Sequence, residues 1–149
     1  MTEIISASPD ETIAIGKQIS KYLSPGSVAA LYGTLGSGKT YLTKGIAFGL
    51  GINEILTSPT FTIINEYKIE NYNNSGNCLF LYHIDAYRLN SEKDFEDIGG
   101  LEIINSNDIC VIEWSERIKN SLPENAIHIE IEITDSQSRR ISIKGIDLL

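Results

Sequence analysis

With 149 residues the chain is about one domain long, enough to bury a single core and too short for a repeat array. Its 42% hydrophobic and 21% charged residues exclude a disordered chain. Twelve Lys and Arg against 20 Asp and Glu leave a net charge of -8, which excludes a large cationic face for a phosphate backbone, so any nucleic acid would be held by a partner.

The start Met1-Thr2-Glu3 carries no basic flank or apolar run of signal length, and no stretch of about 18 apolar residues occurs, so a cytoplasmic protein with no membrane contact is expected. Ser8-Pro9-Asp10-Glu11 reads as a helix start: Ser8 caps, Pro9 suits the first turn and Glu11 holds the capping-box position. Ile15, Ile19 and Leu23 then share one face up to Pro25-Gly26. Ser27 to Tyr32 is a short apolar run that fits a strand buried on both faces. A glycine-rich turn leads into a helix predicted from Lys39 to Leu50, stopped at Gly51.

Phe61 to Ile69 and Cys78 to Ile84 read as two strands of a hairpin joined by the polar turn Asn71 to Asn77, so part of the sheet is antiparallel. Ser91 caps a short acidic helix closed by Gly99-Gly100, and its acids read as a solvated face. Ile109 to Glu113 is a further strand, followed by a short helix that Pro123 ends. Ile127, Ile129, Ile131 and Ile133 alternate with polar residues as a half-exposed strand, beside which Arg139 to Lys144 returns. Cys78 and Cys110, far apart and without metal-ligand spacing, read as reduced core or strand residues. The fold class expected over residues 1–149 is α/β: a single P-loop NTPase-like domain with a mixed parallel and antiparallel sheet flanked by helices.

Gly33-Thr34-Leu35-Gly36-Ser37-Gly38-Lys39-Thr40 matches G-x-x-x-x-G-K-S/T between a predicted strand and a predicted helix. Its glycines let backbone N–H groups turn inward at phosphates, and the helix N-terminus adds partial positive charge. Lys39 then reaches the β- and γ-phosphates and the Thr40 hydroxyl ligates Mg²⁺. Such a loop needs a carboxylate from a neighbouring strand end. Asp85 and Glu113 each end an apolar run and each fits. Ser58-Pro59-Thr60-Phe61-Thr62 follows the loop helix, where a segment sensing the γ-phosphate belongs, or where Pro59 merely fixes a strand entry. His83 reads first as a satisfied core histidine and Trp114 as packing near the site. Spacing does not choose among Arg88, Arg117, Arg139 and Arg140 for a role on phosphate. No N/T-K-x-D element is present, which favours ATP over GTP.

The order Gly33-x-Leu35-Gly36-x-Gly38-Lys39-Thr40, then Ser58-Pro59-Thr60-Phe61-Thr62, then His83-x-Asp85-x-Tyr87-Arg88-Leu89, then Glu113-Trp114, resembles the TsaE family of bacterial ATPases of tRNA threonylcarbamoyladenosine synthesis. The likeness spans roughly Ser8 to Lys144. It departs from the family pattern at Thr34, Ser37 and Ser115, where Asp, Ala and Pro are usual; none of these side chains is a phosphate or metal contact by the argument above. The resemblance implies a P-loop protein that binds Mg-ATP and joins TsaB and TsaD to transfer threonylcarbamoyl to the adenosine beside the anticodon, touching tRNA only indirectly. It implies that Gly36, Ser37, Gly38, Lys39, Thr40 and Tyr41 hold nucleotide, that Thr40 and Glu113 bind Mg²⁺, and that Lys39, Asp85, Glu113 and Thr60 serve catalysis, Thr60 as part of a switch-like loop. It also raises Glu11 or Thr12 and Arg139 as neighbours of the nucleotide.

Two other classes fit the loop alone. A small-molecule P-loop kinase would carry an Arg-rich lid and would phosphorylate an acceptor. A nucleotide-sensing module would bind ATP and never hydrolyse it, whatever partners were added.

Overall fold

In the computed structural model, which describes residues 1–54, 56, 63–70, 72 and 79–148, seven strands form one mixed sheet. They are β1 (Thr2–Ser6), β2 (Val28–Tyr32), β3 (Ile64–Ile69), β4 (Leu79–Asp85), β5 (Ile109–Glu113), β6 (Ile127–Ile133) and β7 (Arg139–Lys144), in the spatial order β1-β7-β6-β2-β5-β4-β3. The four inner strands β6, β2, β5 and β4 run parallel, while β7, β1 and β3 pair antiparallel at the two sides. Every residue of β5 is buried, because both its faces are covered; that is why Ile109-Cys110-Val111-Ile112 reads as a continuous apolar run. Burial also pushes the Cys110 thiol up, out of its reactive range. β6 instead alternates, with Ile127, Ile129 and Ile131 inward and Glu130 and Glu132 exposed.

On one face of the sheet lie α1 (Pro9–Ser20) and α2 (Lys39–Gly49). Ile19, Leu42 and Ile46 pack there against Leu31, Ile129 and Ile141. The two helices approach closely where Gly16 meets Gly45: a Cβ on Gly16 would lie 2.4 Å from the Leu42 carbonyl oxygen, and one on Gly45 2.0 Å from that of Ile13. Ser8 caps the helix, its Oγ accepting from the Glu11 N–H at 3.1 Å, while Glu11 Oε2 reaches one residue past the cap and accepts from the Ala7 N–H at 2.6 Å. α1 ends at Ser20, before Pro25-Gly26, because the Lys21 N–H closes the last turn on Gln18 and Ile19.

The other face is covered by α3 (Glu92–Asp97), α4 (Gly100–Ile104) and 3-10 turns over Ser115–Ser121, whose Phe95 and Ile118 pack on Ile84, Cys110 and Ile112. Two elements differ from the sequence reading. Only Gly99, at φ 87, breaks the acidic helix; Gly100 opens α4, seated so tightly that a Cβ there would lie 2.5 Å from the Phe95 ring. The short edge strand β1 was not expected at all, since it exists by pairing with β7 from the far end of the chain. The hairpin of β3 with β4 is present; the Ser58-Pro59-Thr60-Phe61-Thr62 segment, Cys78 and most of the turn between the strands lie outside the described residues. Among the described residues no helix is long and apolar enough to cross a membrane.

Candidate functional site

Parallel strands deliver their carboxyl ends to one edge of the sheet, and the order β2-β5-β4 brings three of them side by side. β2 leads into the glycine loop, which turns at Gly36 (φ 81) and Gly38 (φ 105), conformations that side chains rarely adopt. Gly38 is the N-cap of α2 and offers no side chain to the first-turn N–H groups, leaving that end of the helix open to an anion. Ser37 is fully buried, and its Oγ has no hydrogen-bond partner among the described residues.

Asp85 and Glu113 end β4 and β5 as paired neighbours of the ladder. Glu113 is 3% exposed; its Oε2 contacts His83 Nε2, and its Oε1 lies 3.4 Å from Thr40 Oγ1. Two hard oxygens thus converge at the first turn of α2, the donor type and number that Mg²⁺ takes from a protein when phosphate and water supply the rest. Asp85 accepts from the Tyr87 N–H at 3.0 Å. Burial raises its carboxyl above the usual carboxylate range, the Glu113 charge adds to this, and the Tyr87 N–H opposes it.

Lys39, 5% exposed, donates through Nζ to the carbonyls of Gly33 and Thr34 and sits 4.0 Å from the centroid of the Trp114 ring. Burial lowers its pKa from the ordinary lysine value, against the pull of Glu113, Glu116 and Asp85. Trp114 holds a left-handed backbone (φ 60, ψ 42), a conformation that costs a side-chain-bearing residue about 1–2 kcal/mol. That turn lays its indole across the site, packed on Tyr87 at 4.8 Å.

Two hollows flank the loop. One of about 360 Å³ holds Lys39, Thr40, Asp85, Glu113 and Trp114. The other, of about 220 Å³, is bounded by Ser8, Thr12, Tyr41 and Arg139. The start of α1 borders it through Ser8 and Thr12, while the Glu11 carboxylate is taken up by the helix cap. Arg139 reaches from β7 to the loop itself, donating to the Ser37 carbonyl at 3.0 Å and the Gly36 carbonyl at 3.3 Å. Spacing left the four arginines equivalent and the family resemblance raised Arg139; the sheet order, with β7 two strands from β2, is what carries its side chain to the loop. A larger hollow of about 830 Å³, between β6, β7 and Ser115–Ser121, has no comparable backbone cradle. Thr60 lies outside the described residues.

Comparison with known proteins places these features in a family context. The family model described as "Threonylcarbamoyl adenosine biosynthesis protein TsaE" matches residues 6–141. A tRNA threonylcarbamoyladenosine biosynthesis protein TsaE of Treponema pallidum (strain Nichols) is 41% identical over 139 residues, covering 93% of this chain and 97% of its own. The protein of the same description from Bacillus subtilis (strain 168) is 41% identical over 141 residues, with 95% and 84% covered. The crystal structure of Bacillus subtilis YdiB superposes with a TM-score of 0.74 at 36% identity, covering 95% of this chain and 83% of that one.

Proposed function

The chain belongs to the TsaE family, and from that premise we propose that it binds ATP with Mg²⁺ at residues 33–40, hydrolyses it, and so supports threonylcarbamoyl transfer to the adenosine beside the tRNA anticodon, together with TsaB and TsaD. A part in tRNA threonylcarbamoyladenosine biosynthesis goes with the family. The observation that supports the catalytic reading is the meeting of Lys39 and Thr40 with Asp85 and Glu113 at the ends of three adjacent parallel strands.

In this reading the N–H groups of Gly36, Ser37, Gly38, Lys39 and Thr40 cradle the phosphates, and Lys39 leaves its loop carbonyls for the β- and γ-phosphate oxygens. Thr40 and Glu113 hold Mg²⁺, which when bound neutralises developing charge on those oxygens. Asp85, beside them and not on the metal, orients the attacking water. The smaller hollow, with Tyr41 on its wall and Arg139 behind the loop, takes the nucleoside end of ATP. Thr60 belongs to a segment that responds to the γ-phosphate and is read by a partner.

Turnover by the protein alone is slow, below roughly 1 per second, and partners raise it. The net charge of -8 leaves tRNA to those partners, in the cytoplasm. The test is ATP hydrolysis measured alone and with TsaB, TsaD and tRNA, alongside mass spectrometry of tRNA nucleosides from depleted cells. Phosphate release without a phosphorylated acceptor, and loss of the modification that Lys39→Ala fails to restore, are expected. Normal modification after full depletion would refute the function, and absence of hydrolysis with every partner present would leave a sensor.

A further inference from the structure

His83 is fully buried in β4 and takes no part in the chemistry proposed above. It lies two residues before Asp85, so both side chains leave the same face of the strand, next to Glu113 on β5. Its Nε2 meets Oε2 of the Glu113 carboxylate, while Oε1 of that carboxylate lies 3.4 Å from Thr40 Oγ1. One carboxylate therefore has an oxygen held within the sheet and an oxygen presented at the loop. The far side of the ring completes the picture: Nδ1 is buried and has no hydrogen-bond partner among the described residues. A buried N–H without an acceptor is the more expensive orphan when the same ring has a carboxylate waiting at its other nitrogen. Nε2 accordingly carries a proton, and Nε2–H donates to Glu113.

We infer that His83 is a positioning residue, which by donating from Nε2 locks the Glu113 side chain with Oε1 toward Thr40 and thereby sets the affinity of the nucleotide site for Mg²⁺. This rests on the reading of Thr40 and Glu113 as the magnesium ligands. The need for such a donor follows from the surroundings. Glu113 is 3% exposed, so water does not hold its second oxygen. Lys39, the neighbouring cation, has its ammonium engaged by the Gly33 and Thr34 carbonyls and the Trp114 ring. Without His83 a buried carboxylate would lack a donor on one oxygen and would turn away from Thr40 to find one. Groups that orient a metal ligand in this way commonly govern metal affinity by about 10–100-fold.

The experiment compares ATP affinity in excess magnesium and in chelator, by calorimetry, for wild type, Glu113→Gln, His83→Leu and His83→Gln. Leu keeps bulk and removes the donor; Gln restores an N–H near the Nε2 position. We expect His83→Leu to lower the magnesium-dependent gain in affinity about tenfold, to leave affinity in chelator unchanged, and His83→Gln to recover most of the gain. A His83→Leu protein with wild-type magnesium dependence, beside a Glu113→Gln protein that has lost it, overturns the inference alone. Wild-type magnesium dependence in Glu113→Gln overturns the reading of the ligands and this inference with it. Should His83→Leu not fold, the imidazole nitrogen resonances of the wild type decide, since the chain has only 2 histidines and a His128→Gln spectrum identifies His83. A proton on Nε2 supports the inference; a bare Nε2 overturns it.

Discussion

The Lys39 ammonium rests 4.0 Å from the centre of the Trp114 ring. Its other partners among the described residues are two carbonyls of its own loop, so the lysine is stored on groups that phosphate oxygens would outbid.

Trp114 is the only tryptophan, which makes this storage visible. Binding of ATP is expected to draw the ammonium from the ring and change Trp114 emission. In Lys39→Ala the change should vanish, and ATP affinity should fall by about 2 kcal/mol, roughly thirtyfold. The variant should fold, because the partners of the ammonium among the described residues are loop carbonyls and the indole. Fluorescence titration and calorimetry check both parts, and unaltered affinity would remove the P-loop reading.

Arg139→Ala should weaken ATP binding about fivefold, from loss of about 1 kcal/mol of support to the loop. The guanidinium fork spans the carbonyls of Gly36 and Ser37 while its other donor meets the carbonyls of Asp135 and Ser138. Lysine cannot reproduce that fork, so Arg139→Lys should resemble the alanine variant. Equal affinities of Arg139→Lys and wild type, by calorimetry, would show that charge and not the fork matters.

Asp85→Asn should trade activity for stability. The half-buried carboxyl titrates above its ordinary 3.8. Between 3.8 and that raised value the folded state holds more protons than the unfolded one, so the carboxyl's contribution declines as pH rises through the window, and the deficit is complete above it. Asparagine keeps an oxygen for the Tyr87 N–H and carries no charge. At neutral pH its Tm should therefore be higher by about 1 °C, with the advantage gone below the window, while ATP turnover falls about a hundredfold. Calorimetric melts at acid and neutral pH are the check; a constant difference between the two proteins would argue against burial as the cause.

Gly45→Ala should destabilise by about 1–3 kcal/mol, since a Cβ would strike the Ile13 carbonyl oxygen and force α1 from α2. Urea denaturation measures it. Because α2 begins at Lys39, ATP should restore part of the lost stability by mass action, and an alanine variant as stable as wild type would mean the helices can separate freely.

Local signals in the chain sufficed for the helix start at Ser8, the glycine loop, the buried strand of Ile109 to Glu113 and the alternating strand of Ile127 to Ile133. Each is written in residues a few positions apart: a cap and its Glu, a glycine spacing, an apolar period. The same signals named Lys39, Thr40, Asp85 and Glu113 as element ends without saying which ends meet. That was decided by the strand order, which sets β5 between β2 and β4 and so brings Glu113 to Thr40 and His83. Tertiary structure likewise carried Arg139 to the loop carbonyls, paired β1 with β7, and made Gly16 and Gly45 a helix contact. The reason is the same in each case: these relationships join residues far apart in the chain, and no local period or spacing encodes a partner that only packing supplies.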